Sequence, residues 1–371
     1  MFRIFNLTRL VLISFFCLQM GEKSVLQQLP TNSQFSVVWN MQTTACSKFG
    51  VQLNFEAFGI VQNSGKGFYG DKINIFYEIG TFPYLKGTEV MNGGVPQLGD
   101  LKKHQDQARI DLEKIIPDPS FDGLAVLDWE SWRPCWDTNW KPFDIYRDES
   151  IALATRQFPT LNKTQILARA KLDFEINARL FMEKLLDWML ELRPKALWGY
   201  YGFPACYNYG NFQKHCPENI QKDNTEIQWL FNASTALYPS IYIKEQTSQL
   251  NAVYVYGTLE ETIRVNKNLP ILPYAIVHYR DTLTFMNESN LLASIGQAAA
   301  MGFPGIILWG QYNTVNTKEK CENFQHYLEN VLGPTVQHIK AVVENRSDRL
   351  TFDAIAPDQW FDFIQRYFSK V

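Results

Sequence analysis

The stretch from Gly123 to Pro134 reads GLAVLDWESWRP, and its pattern decides the fold class. The first five residues are small or apolar, as expected of a β-strand that is buried on both faces. The strand then ends in two acids, Asp128 and Glu130, with Arg133 three residues further on. In α/β enzymes a buried parallel strand carries active-site residues at its C-terminal end. The pattern therefore predicts an α/β fold whose active site opens here.

Asp128 and Glu130 are two positions apart, so on a strand both side chains point to the same face, from backbone positions about 6.6 Å apart. Two carboxyls this close do not both ionise easily, so we expect one pKa to be raised and that group to act as an acid. Two solvated acids at a strand end are the alternative interpretation. Four nearby tryptophans favour a sugar-cleaving site, because aromatic faces stack on the apolar C–H groups of sugar rings. They are Trp129, Trp132, Trp136 and Trp140.

Six other apolar runs also end in polar or aromatic residues, and most of them are separated by helical patterns. The runs are 35–40, 73–78, 196–202, 236–243, 269–279 and 305–310. The helical patterns are 101–116, 162–192, 258–266 and 288–301, and 87–99 has the composition of a loop. Seven buried strands that alternate with helices predict a barrel of parallel strands. Right-handed crossovers would place all their C-terminal ends on one face, with the two acids and four large aromatics: Tyr201, Tyr242, Tyr279 and Trp309.

Length and composition agree with one packed domain. The chain has 371 residues, 46% of them hydrophobic and 14% aromatic, and a formal net charge of -3. This charge argues against a general nucleic-acid binder, so a polyanionic partner would need local cations. The sequence contains no metal-ligand cluster, phosphate loop or nucleotide fingerprint, so it predicts neither a metal nor another cofactor.

Both termini carry segments outside the barrel pattern. Residues 1–22 combine Arg3 and Arg9 with the apolar run 10–18, which predicts a signal peptide. This run is short for a membrane span, although a retained anchor is the alternative. Residues 346–371 are predicted to form an amphipathic extension on the outside of the barrel, with membrane-surface binding as the weaker interpretation.

Cysteines and glycosylation motifs point to export. Cys17 lies in the leader, and five further cysteines leave two pairs and one free thiol in an oxidising compartment. Four N-glycosylation motifs follow the leader, at Asn162, Asn232, Asn287 and Asn345. We therefore predict a secreted, extracellular protein, with the lysosome as the alternative location.

Several motifs, in this order along the chain, resemble those of the hyaluronidase family of glycoside hydrolases. They are NGGVPQ at 92–97, DWESWRP at 128–134 followed by Asn139-Trp140, WGYYGFP at 198–204, YPSIY at 238–242 and LWG at 308–310. The resemblance covers residues 35–333. It implies a distorted (β/α) TIM-like barrel of about seven strands, forming a single catalytic domain at 30–345. It also implies endo-hydrolysis of β-1,4 N-acetylhexosaminide bonds in hyaluronan, often also in chondroitin, with retention of configuration.

The resemblance assigns roles to five residues. Glu130 resembles the general acid/base that protonates the leaving oxygen and then activates water. Asp128 resembles the residue that binds the acetamido N–H and supports an oxazolinium-like intermediate. Tyr201 and Tyr242 would line the scissile sugar, and Trp309 would form an apolar wall of the pocket.

Further cleft contacts are carried over less directly. Arg133 and Arg264 resemble the family's cleft arginines. For Arg133 the alternative is a structural ion pair with one of the two acids, and for Arg264 it is a surface charge. Three more residues are predicted to contact substrate: Tyr279, Tyr77 and Ser240.

The resemblance also implies two disulfides, Cys46–Cys321 and Cys206–Cys216. Cys135 is then the unpaired cysteine, which we interpret as a small buried hydrophobe rather than a regulatory thiol. Gln311 replaces the serine of venom-type relatives, which leaves the contacts beyond the cleavage point open. The cysteine-rich module of vertebrate members is missing, which places the chain nearer the invertebrate and venom-type enzymes.

Three functions remain open at this point. The first is a monomeric hydrolase that cleaves hyaluronan, and the second is a hydrolase that prefers chondroitin. The third is a glycosaminoglycan-binding protein without activity. In each case the partner is a glycosaminoglycan polysaccharide.

Overall fold

The computed structural model describes residues 35–87, 89–209, 213–266, 268–346, 348–351 and 355–369. Its strands are β1 (Ser36–Trp39), β2 (Ile60–Val61), β3 (Ile73–Phe76), β4 (Tyr84–Lys86), β5 (Glu89–Met91), β6 (Leu124–Leu127), β7 (Leu197–Tyr200), β8 (Tyr274–Ile276) and β9 (Gly305–Trp309). Its helices are α1 (Thr44–Lys48), α2 (Leu101–Ile115), α3 (Asp144–Gln157), α4 (Lys163–Leu192), α5 (Glu218–Glu226), α6 (Gln228–Ala233), α7 (Ser248–Val265), α8 (Glu288–Leu291), α9 (Gln297–Ala300), α10 (Lys318–Tyr327), α11 (Gly333–Glu344) and α12 (Trp360–Phe368). Short π-helical segments join α8 to α9 and α10 to α11.

Seven of these strands are parallel and form a barrel-like array. One sheet has the order β2-β1-β9-β8 and the other has the order β3-β6-β7. The segment 237–240 lies between them and makes parallel bridges to residues beside or within β7 and β8. The predicted α/β class and TIM-like barrel of about seven strands are thereby confirmed.

The structure differs from the predicted elements at three places. Segment 236–243 forms bridges but no continuous ladder, because Pro239 has no N–H to donate to a neighbouring strand. The predicted loop at 87–99 contains one arm of the antiparallel hairpin β4–β5. Helix α7 begins ten residues before the predicted 258, where the Thr247 hydroxyl accepts the Leu250 N–H at 3.4 Å.

Side chains on the parallel strands alternate between two apolar layers. One set fills the barrel interior: Val38, Ile73, Ile75, Leu124, Val126, Leu197, Tyr274 and Ile307. The intervening set packs against the surrounding helices: Val37, Phe76, Ala125, Leu127, Trp198, Tyr200, Ala275, Ile306 and Leu308. Burial on both faces explains why the strands appear in the sequence as continuous apolar runs.

A side chain joins the two edge strands of the array. In the described part of the chain no ladder connects β2 to β3. Instead the buried amide of Asn63 donates to the carbonyl oxygens of Gly67, Phe68 and Ile73 at 3.2, 3.0 and 3.0 Å. Its oxygen accepts the N–H groups of Lys72 and Ile73 at 2.8 and 2.9 Å. Asn63 therefore supplies hydrogen bonds that a neighbouring strand would otherwise make.

The C-terminal helix α12 packs against α7 and the helix that contains α8 and α9. Five of its large side chains are buried, namely Trp360, Phe361, Ile364, Tyr367 and Phe368, whereas Phe363 is 41% exposed. Its apolar face is thus occupied by protein contacts. Among the described residues there is no helix with the length and apolar character needed to span a membrane. The predicted leader at 1–22 lies outside those residues.

Both predicted disulfides are present in the structure. Cys46 and Cys321 are bonded across 275 residues of chain, with their Cα atoms 5.4 Å apart. Cys206 and Cys216 close a loop between residues only 10 positions apart. Cys135 is free and buried, as predicted.

We expect the Cys46–Cys321 bond to contribute strongly to stability, because it closes a long loop in the unfolded chain. The double substitution Cys46→Ala/Cys321→Ala should lower the free energy of unfolding by about 3–5 kcal/mol. Thermal unfolding followed by calorimetry measures this change. The matched control Cys206→Ala/Cys216→Ala should cost less, since its loop is far shorter. A larger loss in the control would contradict the loop-length explanation.

Candidate active site

The two acids lie in an open cleft at the C-terminal end of β6. The Asp128 N–H donates to the Phe76 carbonyl at 2.9 Å, so parallel pairing with β3 continues up to the first acid. The cleft has a volume of about 530 Å³, and both carboxyls line it. Trp129, between them, packs on Phe82 with the ring centroids 4.1 Å apart. The D-x-E spacing thus brings both carboxyls to one site.

Burial and mutual repulsion keep a proton on this pair. Removal from water, followed by the negative charge of Glu130, raises the pKa of Asp128 to about 8. The Asp128 Oδ1 atom is buried and accepts no hydrogen bond from the described residues. Burial also raises the pKa of Glu130, whereas the nearby positive charge of Arg133 acts in the opposite direction. One carboxyl of the pair is therefore protonated well above the ordinary range of an acidic side chain.

Aromatic rings surround Arg133 and hold it in the cleft. Its guanidinium lies 5.1 Å from the ring centroid of Trp140, 4.7 Å from Phe143 and 5.5 Å from Tyr207. It also donates to the Thr138 carbonyl at 2.7 Å. Among the described residues it forms no ion pair with either acid, in contrast to the structural alternative considered from the sequence. Its charge acts on Glu130 across the cleft rather than through a direct contact.

Tyrosine and tryptophan side chains form a wall of the cleft. The Trp309 ring stacks on Tyr242 with centroids 5.6 Å apart, and its Nε1–H donates to the Tyr77 hydroxyl at 2.9 Å. The Tyr201 hydroxyl donates to Ser240 Oγ at 3.2 Å. Burial raises the pKa of Tyr77 to about 12 and raises the pKa of Tyr201 and of Tyr242 as well. These hydroxyls therefore stay protonated, and the Tyr201 hydroxyl, whose proton is donated to Ser240, can accept a hydrogen bond from a ligand.

The Tyr77–Trp309 hydrogen bond gives a prediction. We expect Tyr77→Phe to lower kcat/KM about threefold to tenfold, because the indole that forms the wall loses its fixed acceptor. Stability should change by less than about 0.5 kcal/mol, since water can reach the site. Steady-state kinetics on hyaluronan measures the effect. Tyr312→Phe is the control, because Tyr312 is exposed, follows Trp309 in the chain and does not line the cleft. Equal activity of both variants would exclude a role for this hydrogen bond.

Two predicted cleft residues lie elsewhere. Arg264 forms an ion pair with Glu261 at 2.7 Å and donates to the Gln221 carbonyl at 2.9 Å, away from the residues that line the cleft. The surface-charge interpretation fits this position. Tyr279 is buried, its hydroxyl accepts a hydrogen bond from Asn290 at 2.8 Å, and it is not among the residues that line the cleft. Two of the four tryptophans near the acids, Trp132 and Trp136, belong to the core.

The structure also places residues in the cleft that the sequence analysis did not identify. Arg280 and the aromatic residues Tyr207, Tyr209 and Tyr254 line it. Gln311, which the sequence singled out for replacing a serine, lines the cleft as well, and its N–H donates to the buried His278 Nε2 at 3.0 Å. Arg280 directly follows the apolar run 269–279 and belongs to none of the family motifs quoted above. Its aromatic partners come from distant parts of the chain, so no local pattern could have identified the group.

A thiol and two carboxylates meet beside the active-site loop. Cys135 Sγ, a Glu175 oxygen and a Glu226 oxygen lie within 4.8 Å of one another. Burial raises the pKa of the Cys135 thiol to about 12, so this sulfur stays protonated and is a poor metal ligand. Glu175 accepts the Trp136 N–H at 2.9 Å, which anchors the loop after the two acids. The cluster is therefore explained by a structural role.

A sequence profile described as Hyaluronidase matches residues 24–352, which is most of the chain and includes both acids and the wall residues. The chain belongs to the hyaluronidase family. It is 39% identical to human Hyaluronidase-1 over 83% of this chain and 74% of that protein. It is 37% identical to the Hyaluronidase of Apis mellifera over 90% of this chain and 92% of that protein.

The fold of this hyaluronidase-family chain matches a solved relative. The crystal structure of bee venom hyaluronidase in complex with a hyaluronic acid tetramer superposes with a TM-score of 0.79 at 37% identity. The match covers 82% of this chain and 99% of the bee chain. Membership of this family makes the protein an enzyme, specifically a glycoside hydrolase. The family resemblance expected from the DWESWRP motif is therefore confirmed.

Proposed function

We propose that the protein is an endo-acting hydrolase that cleaves β-1,4 N-acetylhexosaminide bonds in hyaluronan with retention of configuration. The observation that carries the proposal is the protonated carboxyl pair, Asp128 and Glu130, facing an open cleft with an aromatic wall. An open cleft accommodates a continuous polymer, whereas a closed pocket would accept only a chain end. The hyaluronic acid tetramer bound by the bee relative supports the choice of substrate.

In the proposed first step, the substrate's own acetamido group acts as nucleophile. Glu130 donates its proton to the bridging oxygen as the bond to the anomeric carbon breaks. The acetamido oxygen attacks that carbon from the opposite side and forms an oxazolinium-like ring. Asp128 accepts a hydrogen bond from the acetamido N–H and stabilises the positive charge that develops there. Ionised Glu130 then removes a proton from water, which opens the ring and restores the original configuration.

The shared proton connects the free site to this mechanism. Because the pKa of Asp128 is raised to about 8, the free pair holds a proton at neutral pH. A substrate N–H that donates to Asp128 favours the ionised form of that residue and moves the proton towards Glu130. Substrate binding would therefore prepare the general acid.

The wall residues have binding roles in this proposal. Tyr242 donates a hydrogen bond to the sugar at the cleavage position. The Tyr201 hydroxyl, which is oriented by its own hydrogen bond to Ser240, accepts one from the sugar. Trp309, held by Tyr77, provides the apolar surface on which the sugar ring packs. Arg133 supplies a positive charge for the anionic polymer.

We also propose that the protein acts outside the cytosol, as a secreted or lysosomal monomer. Two disulfides support this assignment, as does the exposure of all four predicted glycosylation sites, Asn162, Asn232, Asn287 and Asn345.

The test compares the polymers directly. Purified protein is incubated with hyaluronan and with unsulfated chondroitin, and new reducing ends are counted at several pH values. We expect cleavage of hyaluronan, with the β-anomer as the first product in proton NMR. Faster cleavage of chondroitin would favour the chondroitin-preferring alternative. Binding without new reducing ends from either polymer would overturn the proposal in favour of an inactive binding protein.

A further inference from the structure

Arg280 is a cation in the cleft without an acidic partner in the described part of the chain. It lines the cleft with the two acids, is exposed to solvent, and has no carboxylate oxygen within 4.0 Å of its guanidinium among those residues. Among the residues that the structure describes, its side chain makes one polar contact, a hydrogen bond to the Tyr209 hydroxyl at 3.3 Å. Most of its N–H donors therefore remain available to a ligand.

Arginines with structural roles in this chain look different. Arg193 is 2% exposed, donates to the Ile116 carbonyl at 2.9 Å and pairs with Glu113 at 3.0 Å. Arg264 pairs with the buried Glu261 at 2.7 Å. Arg280, in contrast, contacts the rest of the barrel through its backbone N–H, which donates to the Ile243 carbonyl oxygen at 3.0 Å. The guanidinium itself is thus not required to hold the barrel together.

An aromatic support fixes the position of this guanidinium. It lies 5.3 Å from the ring centroid of Tyr209, and that ring stacks on Tyr254 at 5.2 Å with the planes 19° apart. Lys244 approaches the same Tyr209 ring, with its ammonium 5.8 Å from the centroid. Tyr254 is buried on α7, so the stack rests on a helix of the barrel. The cation is oriented before a ligand arrives, which reduces the entropy lost on binding.

The same support connects Arg280 to the other arginine of the cleft. Arg133 lies over Tyr207, and the rings of Tyr207 and Tyr209 are 6.4 Å apart. Both tyrosines belong to the loop that the Cys206–Cys216 disulfide closes. This one loop therefore places two guanidinium groups along the cleft, a geometry that suits a polymer carrying repeated negative charges.

We propose that Arg280, supported by Tyr209, is a specificity-determining residue that binds an acidic group on a sugar of the bound polymer. The inference rests on the proposed function. A guanidinium binds a carboxylate and a sulfate ester through the same paired N–H donors. The ligand is therefore a sugar-borne oxyanion, either the carboxylate of a uronic acid or a sulfate ester of an amino sugar.

The test measures KM and kcat for Arg280→Gln and Arg280→Lys. The substrates are hyaluronan oligosaccharides, the same oligosaccharides with their carboxyls reduced to alcohols, unsulfated chondroitin and chondroitin 4-sulfate. Arg366→Gln is the matched control, because Arg366 is an exposed arginine on α12, away from the cleft. Thermal unfolding of each variant confirms that the fold is retained.

If the carboxylate is bound, Arg280→Gln raises KM for hyaluronan about tenfold or more and has no effect on the reduced oligosaccharides. If the sulfate is bound, KM rises only for chondroitin 4-sulfate. In both cases Arg280→Lys should raise KM less than Arg280→Gln does, because lysine keeps the positive charge but lacks the paired N–H donors. Tyr209→Ala should reproduce the loss, and Tyr209→Phe should reproduce only a small part of it.

Two results would overturn this inference and leave the proposed function unaffected. One is an Arg280→Gln enzyme that matches Arg366→Gln on every substrate. The other is an equal loss of kcat on native and reduced oligosaccharides, which would indicate a structural role. A wild-type protein that cleaves none of the four substrates would instead contradict the proposed function, and the inference would fail with it.

Discussion

Glu130→Gln is expected to reduce the cleavage of hyaluronan and chondroitin by about 10³-fold or more while leaving the fold intact. The amide has nearly the same shape as the carboxylic acid, but it has no proton of suitable acidity for the bridging oxygen. Because the side chain lies in an open cleft, the substitution should change thermal stability little. Release of reducing ends at a fixed enzyme concentration measures the loss.

A matched control measures the effect of the same Glu→Gln change at a position outside the cleft. Glu329→Gln removes an exposed glutamate on the outer helical segment between α10 and α11, and we expect it to retain full activity. Binding of hyaluronan oligosaccharides by the Glu130→Gln protein, measured by calorimetry, should remain close to wild type. Undiminished turnover in the Glu130→Gln variant would eliminate Glu130 as the general acid.

Asp128→Asn is expected to lower kcat by about 10²-fold or more, because an amide cannot stabilise the positive charge of the oxazolinium-like intermediate. The loss should appear mainly in kcat, since that charge develops only as the bond breaks. A change confined to KM would instead indicate a role in ground-state binding.

The same variant should be more stable than wild type at neutral and alkaline pH. In the folded protein the pKa of Asp128 is raised to about 8, so the native state holds a proton that the unfolded chain has already lost. Wild-type stability therefore falls as pH rises from the ordinary carboxyl range to about 8, and the uncharged amide of the variant avoids this loss.

Melting curves at several pH values test this stability difference. We expect the melting temperature of Asp128→Asn to exceed that of wild type by a margin that grows up to about pH 8. Each kcal/mol of difference corresponds to roughly 2–4 °C. Parallel curves for the two proteins at all pH values would show that Asp128 is not held protonated by the fold.

The sequence indicated the barrel and its acids because both depend on short-range patterns. Continuous apolar runs identify strands buried on both faces, and D-x-E spacing places two carboxyls on one face. The residues around Arg280 were not predictable in this way. Its support combines Tyr209 from a disulfide-closed loop with Tyr254 from α7, and only the folded chain brings them together.

The residues to which the family resemblance assigned roles lie in different parts of the structure. Residues inside motifs, such as Tyr201 and Trp309, lie in the cleft. Arg264 was carried over without a surrounding motif, and the structure places it on the outer side of α7 with Glu261. A residue that lies outside a motif has no neighbouring pattern that ties it to the end of a strand.

The Asn63 amide has a further consequence for the dynamics of the barrel. The laddered strand pairs of the barrel are joined by several backbone hydrogen bonds each, whereas the hydrogen bonds described between the ends of β2 and β3 depend on one planar amide. Rotation of that group would release two peptide N–H groups at once, those of Lys72 and Ile73. We therefore expect this junction, which ends four residues before Tyr77, to open on heating before the laddered strand pairs do.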